Sequence, residues 1–275
     1  MTGIGCDTHI HSEYSTDSQT PMEAQIQQAL RLGLSEICFT DHMDYDFPEE
    51  AMNPPCEKPP FVFDITDYQR KIESLRQVYP EITIGTGVEC GLQNTQETIE
   101  KNRQLTKGNN WDYIIGSLHL VRKTDPYYPA FWEGKKAENC VRLYLEELLD
   151  NITAFSDFDS LGHLDYVVRY APDSFVYRLE EYFEIIEEIL ALLIRKDIAL
   201  EINTSGLKSS DMPNPHLSVL TRYVQMGGEL VTIGSDAHTP NYLGYQFERL
   251  PEWIKKAGLR QYVTYRARKP IFHSI

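Results

Sequence analysis

Short hydrophobic runs recur along this chain, and the segments between them repeat their apolar residues every three or four positions. Short apolar runs are typical of buried β-strands, and the longer period is typical of amphipathic helices. The runs predict seven strands, at 3–7, 36–40, 82–88, 111–117, 158–161, 198–203 and 229–233. The periodic segments predict a helix between Pro21 and Gly33 and further helices at 64–78, 95–105, 136–155, 179–195 and 215–226.

The alternation of strands and helices predicts an α/β fold with a parallel sheet. Seven parallel strands are enough to close a barrel, one fewer than the usual eight. No change in composition divides the chain, so we expect a single domain over residues 1–275. In barrels of this type the carboxyl ends of the strands form one face, and we expect the active site there.

The composition of the chain narrows its function. Its formal net charge is −15, which argues against nucleic acid or an anionic membrane surface as a partner. Its five cysteines are scattered without a Cys-x-x-Cys pair, which favours a reducing compartment. We find no signal-peptide pattern and no run of transmembrane length, and therefore expect a cytoplasmic protein. The sequence does not indicate its oligomeric state.

The first predicted strand runs into the segment Asp7-Thr8-His9-Ile10-His11. Alternate side chains of a strand share one face, so His9 and His11 point the same way and form half of a transition-metal site. Asp7 falls on that face too, where it could fix the tautomer of a histidine. A single His-x-His segment is more often incidental, but here histidines and acids also follow other strands.

Six of the seven predicted strands end in His, Asp or Glu. The candidate metal ligands are His9, His11, Asp17, His42, Glu89, His119, His163, Asp236 and His238. These are too many for one ion, and they suit two or three divalent transition-metal ions, such as zinc, iron or manganese, with Glu89 as a bridge. A cluster of this kind suits the hydrolysis of a small phosphorylated substrate.

The same positions resemble the motifs of the PHP (polymerase and histidinol phosphatase) family. The matching segments are Asp7-x-His9-x-His11, Thr40-Asp41-His42, Gly87-Val88-Glu89, Ser117-Leu118-His119, Gly162-His163 and Ser235-Asp236-Ala237-His238. Their order and spacing match along almost the entire chain. The resemblance implies a distorted seven-stranded (β/α)7 TIM-like barrel with a trinuclear metal centre at the carboxyl ends of its strands.

The resemblance also implies how the ligands divide. One metal would take His9, His11, Glu89 and Asp236. A second would take Glu89, His119 and His163. The third would take His42, His238 and Asp17. Because no ligand position is lost, an active enzyme is favoured over a binding module.

Two further segments, 162–170 and 201–207, resemble the histidinol-phosphatase branch of the family. This implies a phosphomonoesterase of histidine biosynthesis that hydrolyses L-histidinol phosphate to L-histidinol and phosphate by means of a metal-activated hydroxide. By the same resemblance, Arg169 and Lys208 would hold the phosphate. Lysine keeps the charge of the arginine that is common at the second position but loses its two-pronged geometry.

Other residues are assigned supporting roles. Asp7, Asp41 and Asp165 are assigned to the catalytic site as acids that orient the ligands. Segments 44–60 and 125–132 are read as loops at the rim of the site. We hypothesise that acidic groups at this rim, from 44–57 or elsewhere, recognise the ammonium group of the substrate.

Three alternatives remain at this point. A PHP phosphoesterase could act on nucleotides or on other small phosphate esters. An amidohydrolase also opens with His-x-His, but that class typically carries a bridging lysine on its fourth strand, and none lies at 111–117. A metal-dependent binding or regulatory protein would keep the ligands without turnover.

Overall fold

The computed structural model describes residues 3–48 and 60–275, and strands alternate with helices through most of them. The strands before the C-terminal segment are β1 (Cys6–Ile10), β2 (Glu36–Phe39), β3 (His42–Met43), β4 (Thr83–Gly91), β5 (Tyr113–Ser117), β6 (Ser160–Leu161), β7 (Ala199–Asn203) and β8 (Val231–Gly234). The helices are α1 (Met22–Leu32), α2 (Ile65–Val78), α3 (Gln96–Lys107), α4 (Ala137–Ala154), α5 (Phe183–Arg195), α6 (Leu217–Gln225) and α7 (Leu250–Ala257).

Seven of these strands form a parallel sheet in the order β1-β2-β4-β5-β6-β7-β8, and the two-residue β3 pairs with β4. A parallel bridge between Ile10 and Ala237 joins the segment after β8 to the end of β1. The sheet is therefore a nearly closed barrel, and the prediction of a seven-stranded α/β barrel is confirmed. No helix in 3–48 or 60–275 is long and apolar enough to cross a membrane.

Two strands extend further toward the active-site face than predicted. β1 begins at Cys6 and runs to Ile10, where its pairing with β2 ends opposite Phe39. β4 continues through Gly91, because it pairs with β5 along its whole carboxyl half. As a result His9 and Glu89 are strand residues with fixed directions, and not members of the loops that follow.

The helices pack their apolar stripes on the outside of the barrel. In α2 the stripe is Tyr68, Ile72 and Leu75, which are all buried, and the Asp64 side chain caps the helix by accepting from the Asp67 amide. The predicted helix at 179–195 is divided into a 3₁₀ turn and α5, with a break at Tyr182.

The sequence analysis did not predict the C-terminal segment. After α7 come β9 (Gln261–Arg266) and β10 (Lys269–Ser274), which form an antiparallel hairpin. Tyr265 of β9 stacks on Tyr113 of β5, with ring centroids 5.3 Å apart. The Tyr113 hydroxyl donates to Thr232 on the far side of the barrel, so this ring lies inside it. The hairpin thus covers the amino end of the barrel, opposite the candidate site.

Candidate metal centre

All nine sequence-predicted metal ligands meet at the carboxyl ends of the strands. β1 supplies His9, and the residue after it is His11. β3 and β4 pair at His42 and Glu89. The remaining candidates lie in the loops that follow β1, β5, β6 and β8, and they are Asp17, His119, His163, Asp236 and His238.

The first group of donor atoms is held by β1 and the loop after β8. The Nε2 atoms of His9 and His11 lie 3.1 Å apart, and Asp236 Oδ1 lies 3.8 and 3.3 Å from them. Glu89 Oε2 is 3.2 Å from the first and 3.4 Å from the second. Ligand atoms at about 2.0–2.1 Å from a tetrahedral zinc ion are about 3.3–3.4 Å apart. The four atoms therefore have the spacing of a single coordination shell.

The second group uses the other oxygen of the same glutamate. Glu89 Oε1 lies 3.2 Å from His119 Nε2 and 2.9 Å from His163 Nε2. The two oxygens of one fully buried carboxylate thus face two different sets of imidazoles. This geometry is the one a carboxylate bridge between two cations requires.

The third group lies nearer to solvent. His238 Nε2 is 3.0 Å from Asp17 Oδ2, and His42 Nε2 is 3.7 Å from the same oxygen. The His11 ring stacks on both, at centroid distances of 4.3 Å from His42 and 4.1 Å from His238. His42 Nδ1 faces Glu89 Oε2 at 3.0 Å, so His42 borders the first group as well.

Several of these buried polar atoms have no hydrogen-bond partner among the described residues. They are His42 Nδ1, Asp44 Oδ2, Glu89 Oε2, His163 Nδ1 and His238 Nε2. Each unpaired buried polar atom costs about 1–3 kcal/mol. Imidazoles and carboxylates in this arrangement are the donors that divalent transition metals prefer, so the residues present fit such ions.

The electrostatics of the cluster keep its carboxylates ionised. Burial opposes charge on Glu89, but the imidazoles of His9, His42 and His119 hold the pKa of that carboxyl well below its usual range. The pKa of Asp236 is also lowered, because the effect of His9, His11 and His238 exceeds the opposing effect of burial. Ionised carboxylates are competent ligands, and cations would neutralise the negative charge that they bring together.

Two acids that were not predicted to contact histidines, Glu201 and Asp44, hold them in place. Glu201 Oε1 lies 2.6 Å from His9 Nδ1, while Glu201 Oε2 accepts from the His163 amide at 2.8 Å. Asp44 Oδ1 lies 2.9 Å from His119 Nδ1. Carboxylates in this position fix the tautomer and the ring orientation of a metal-binding histidine. The sequence signal for Glu201 is a lone acid within the apolar run of β7, a position rarely charged without a partner.

Gly234, the last residue of β8, allows this arrangement to form. A Cβ atom there would lie 2.3 Å from His9 Cβ and 2.7 Å from Glu201 Oε1. Any side chain at this position would therefore displace His9 or its partner. A glycine at the end of an interior strand commonly marks such a close approach.

Among the described residues, Asp7, Asp41 and Asp165 make no hydrogen bond to a histidine side chain, and their assignment to the catalytic site stays a prediction. Asp7 accepts hydrogen bonds from backbone amides of three segments and ties β1 to the loops after β8. Asp41 reaches His11 through the Ser15 hydroxyl, which donates to it at 2.8 Å and lies 3.0 Å from His11 Nδ1.

Asp165 accepts from the Asn214 side chain at 2.6 Å and from a backbone amide after it. Asn214 in turn accepts from Arg169. Asp165 is therefore linked through Asn214 to Arg169, the residue predicted to hold phosphate. In all three acids, neighbouring backbone and side-chain donors occupy the carboxylate oxygens.

The cluster opens into a cleft of about 470 Å³. Arg169 lines one wall, with Nη2 3.7 Å from Asp236 Oδ2, and it also donates to Ser205. Asp125 lines another part, beside Tyr166. Lys208 is not among the described residues that line the cleft, and its Nζ lies 4.2 Å from the centre of the Tyr242 ring. The predicted phosphate contact of Lys208 stays a prediction.

Comparison with known proteins agrees with this geometry. A family model described as the PHP domain matches residues 7–205, which is more than half of the chain. The chain belongs to the PHP family. The matched region contains the ligand-bearing segments from β1 to the start of the loop after β7.

Relatives of the chain are similar over nearly its full length. It is 31% identical to the histidinol-phosphatase of Lactococcus lactis, over 96% of this chain and 95% of that protein. It is 30% identical to a probable histidinol-phosphatase of Clostridium acetobutylicum, over 92% and 94% of the two chains. These values, like the family match, place the chain within the PHP family.

Solved structures confirm the fold. The crystal structure of histidinol phosphate phosphatase from L. lactis, complexed with zinc, L-histidinol and phosphate, matches with a TM-score of 0.86 and 29% identity. The match covers 97% of this chain and 98% of that one. A putative histidinol phosphatase of Listeria monocytogenes matches with a TM-score of 0.73 at 20% identity, which supports the fold alone.

Proposed function

We propose that this chain is a metal-dependent phosphomonoesterase that hydrolyses L-histidinol phosphate to L-histidinol and phosphate. The observation that carries the proposal is the cleft itself, in which a carboxylate-bridged imidazole cluster lies beside a guanidinium group. The full-length likeness to a zinc-, histidinol- and phosphate-bound phosphatase supports this substrate. A role in histidine biosynthesis and a cytoplasmic location follow as expectations from that activity.

The three groups of donors would hold three divalent ions. The first would lie among His9, His11, Asp236 and Glu89; the second would lie among Glu89, His119 and His163. Asp17, His42 and His238 would hold the third. When bound, such ions lower the pKa of water and bind the oxygens of a phosphate ester. Zinc, iron and manganese all accept these donors.

The protein's own contribution to phosphate binding is Arg169. Its guanidinium is oriented by Ser205 and Asn214, and the Tyr166 and Tyr170 rings lie 5.5 and 5.9 Å from it. An arginine held on several sides loses little entropy when it binds a dianion, and it can form two parallel hydrogen bonds to phosphate oxygens. It would therefore orient the scissile group toward the cluster.

Asp125 is the candidate partner for the cationic end of the substrate. It lines the cleft, its Oδ1 accepts from the Tyr127 amide and the Tyr166 hydroxyl, and it is not part of the three ligand groups. Among the acids of 44–57 hypothesised for this role, Asp44 faces His119 and Asp46 accepts from the Thr98 hydroxyl, while 49–57 lie outside the described residues. A cleft with Arg169 and Asp125 on different walls is dipolar, like an aminoalkyl phosphate.

Phosphate release from L-histidinol phosphate, measured beside sugar phosphates, mononucleotides and p-nitrophenyl phosphate, tests the proposal. We expect kcat/KM to be highest for histidinol phosphate. The Asp125→Asn variant should raise KM for histidinol phosphate and leave p-nitrophenyl phosphate turnover unchanged, while Glu133→Gln in the same loop serves as the control. Faster turnover of nucleotides would show that the proposed substrate is wrong, but it would not contradict the proposed metal centre.

A further inference from the structure

A second set of metal-binding side chains lies at the opposite end of the barrel from the active-site cleft. Cys6 begins β1, Glu36 begins β2, and His273 lies near the end of β10. Their donor atoms all lie within 4.8 Å of one another. Cys6 Sγ and Glu36 Oε2 are 4.0 Å apart. Residues separated by up to 267 positions in the sequence thus converge on one point.

Neighbouring residues orient two of these donors. The His273 ring stacks on Tyr262, with centroids 5.0 Å apart and planes 18° apart, and its Nε2 lies 2.9 Å from the Thr264 hydroxyl. Arg266 faces Glu36 Oε1 at 3.8 Å, which leaves Oε2 on the side of the thiol. Contacts of this kind to a ring nitrogen and to the second oxygen of a carboxylate are what orients ligands in metal sites.

The donor types and their spacing suit zinc. Thiolate, imidazole and carboxylate are its usual protein ligands, and three of them with a water complete a tetrahedron. Zinc–sulfur and zinc–oxygen distances of about 2.3 and 2.0 Å place such donors about 3.5 Å apart. The observed 4.0 Å between Cys6 and Glu36 therefore needs a contraction of about half an ångström, which a rotation of the Glu36 side chain can supply.

We propose that Cys6, Glu36 and His273 form a further binding site for a thiophilic divalent cation, and that this ion fastens the C-terminal hairpin to β1 and β2. The site takes zinc or a similar ion and is structural, because it lies at the amino end of the barrel and does not open into the catalytic cleft. The Arg266 guanidinium would repel such an ion, but it faces the other oxygen of Glu36, Oε1, at 3.8 Å.

Reconstitution with Co²⁺ distinguishes this site from the catalytic centre. The donors described for the catalytic centre are nitrogen and oxygen, so a near-ultraviolet thiolate-to-cobalt charge-transfer band reports a cysteine ligand only. We expect the wild-type protein to show this band and Cys6→Ser to lose it. Cys140→Ser and Cys56→Ser are the matched controls and should retain it. Absence of the band, or its persistence in Cys6→Ser, overturns the proposal.

A second variant tests the same site in case Cys6→Ser does not fold. His273→Phe keeps the ring that stacks on Tyr262 and removes the nitrogen donors. We expect it to bind one zinc ion fewer per chain than the wild type, with phosphate release unchanged and with greater susceptibility of the hairpin to protease. An unchanged zinc content in His273→Phe contradicts the proposal. Because metal content and the cobalt band are read without turnover, their outcome does not depend on the proposed catalytic function.

Discussion

The two ends of the barrel solve the problem of buried polar groups in different ways. At the amino end, Arg268 pairs with Asp157 and Asp159, and the Tyr265 hydroxyl donates to a backbone carbonyl. At the carboxyl end, Glu89 Oε2 and His42 Nδ1 lie 3.0 Å apart without hydrogen-bond geometry. The amino-end groups named here are satisfied within the chain, whereas several buried donors and acceptors at the carboxyl end have no hydrogen-bond partner among the described residues. The difference indicates which end is built for stability and which for chemistry.

The largest effect should follow from loss of the bridge between the first two donor groups. In Glu89→Gln the charge is lost and one oxygen becomes an amide nitrogen that cannot bind a cation. Because metal ions supply several kcal/mol of transition-state stabilisation, we expect phosphate release to fall by about a thousandfold or more. Metal content should fall with it. Near wild-type turnover in a protein that has lost these ions would contradict the comparison between the two ends.

The next effect concerns Arg169, the cation of the cleft. Arg169→Met keeps much of the side-chain volume and removes all hydrogen bonds to phosphate. We expect kcat/KM for every phosphate ester to fall by about 10²- to 10³-fold, as for the loss of one preorganised donor to a developing anion. Arg249→Met is the control, since that guanidinium lies 4.3 Å from the Trp253 ring and outside the cleft. Equal losses in the two variants would argue against a phosphate contact.

Glu201→Gln should have a smaller effect, because Glu201 acts through two histidines. The amide can still accept from His9 Nδ1 or from the His163 backbone but not from both at full strength. Loss of such a partner typically costs about 10- to 100-fold in metal affinity or activity. We expect activity to recover at high metal concentration, with the exposed Glu229→Gln unchanged. A loss that excess metal does not restore would mean that Glu201 acts in some other way.

The smallest effects come from a matched pair of hydroxyl deletions, one at each end. Tyr113→Phe removes the donor to Thr232 and should lower the free energy of unfolding by about 1 kcal/mol, with no change in turnover. Tyr166→Phe removes the donor to Asp125 and should raise KM for histidinol phosphate by about 2- to 10-fold. Denaturant melts and steady-state kinetics on both variants provide the check. If Tyr113→Phe changed turnover and Tyr166→Phe did not, the division of roles between the ends would be wrong.

The sequence predicted the barrel and the meeting of the nine candidate ligands because both depend on order along the chain. In a parallel barrel the carboxyl ends of all strands lie at the same face. A residue such as His119 or Asp236 that follows an apolar run in the sequence is therefore expected at that face. The resemblance to PHP motifs added the division of these residues into groups.

The features that the sequence did not predict are contacts between side chains that are far apart along the chain. Glu201 stands alone in an apolar strand, and its partner His9 is 192 positions away. Asp44 was predicted to begin a rim loop, but in the structure its side chain contacts His119. The hairpin of β9 and β10 was not predicted because its two strands follow each other directly and lie outside the alternation of strand and helix that indicates the barrel. Tyr265 stacks on Tyr113 inside the barrel, and this contact exists only in the folded barrel.

The most direct test of the account is to titrate metal into metal-free protein while measuring bound ions per chain and phosphate release from L-histidinol phosphate. We predict no activity without metal and a rise in activity only as the donor groups joined by Glu89 fill, with the activity of Cys6→Ser rising along the same curve. Full activity in the metal-free protein would contradict it. So would full occupancy of the donor groups without release of phosphate.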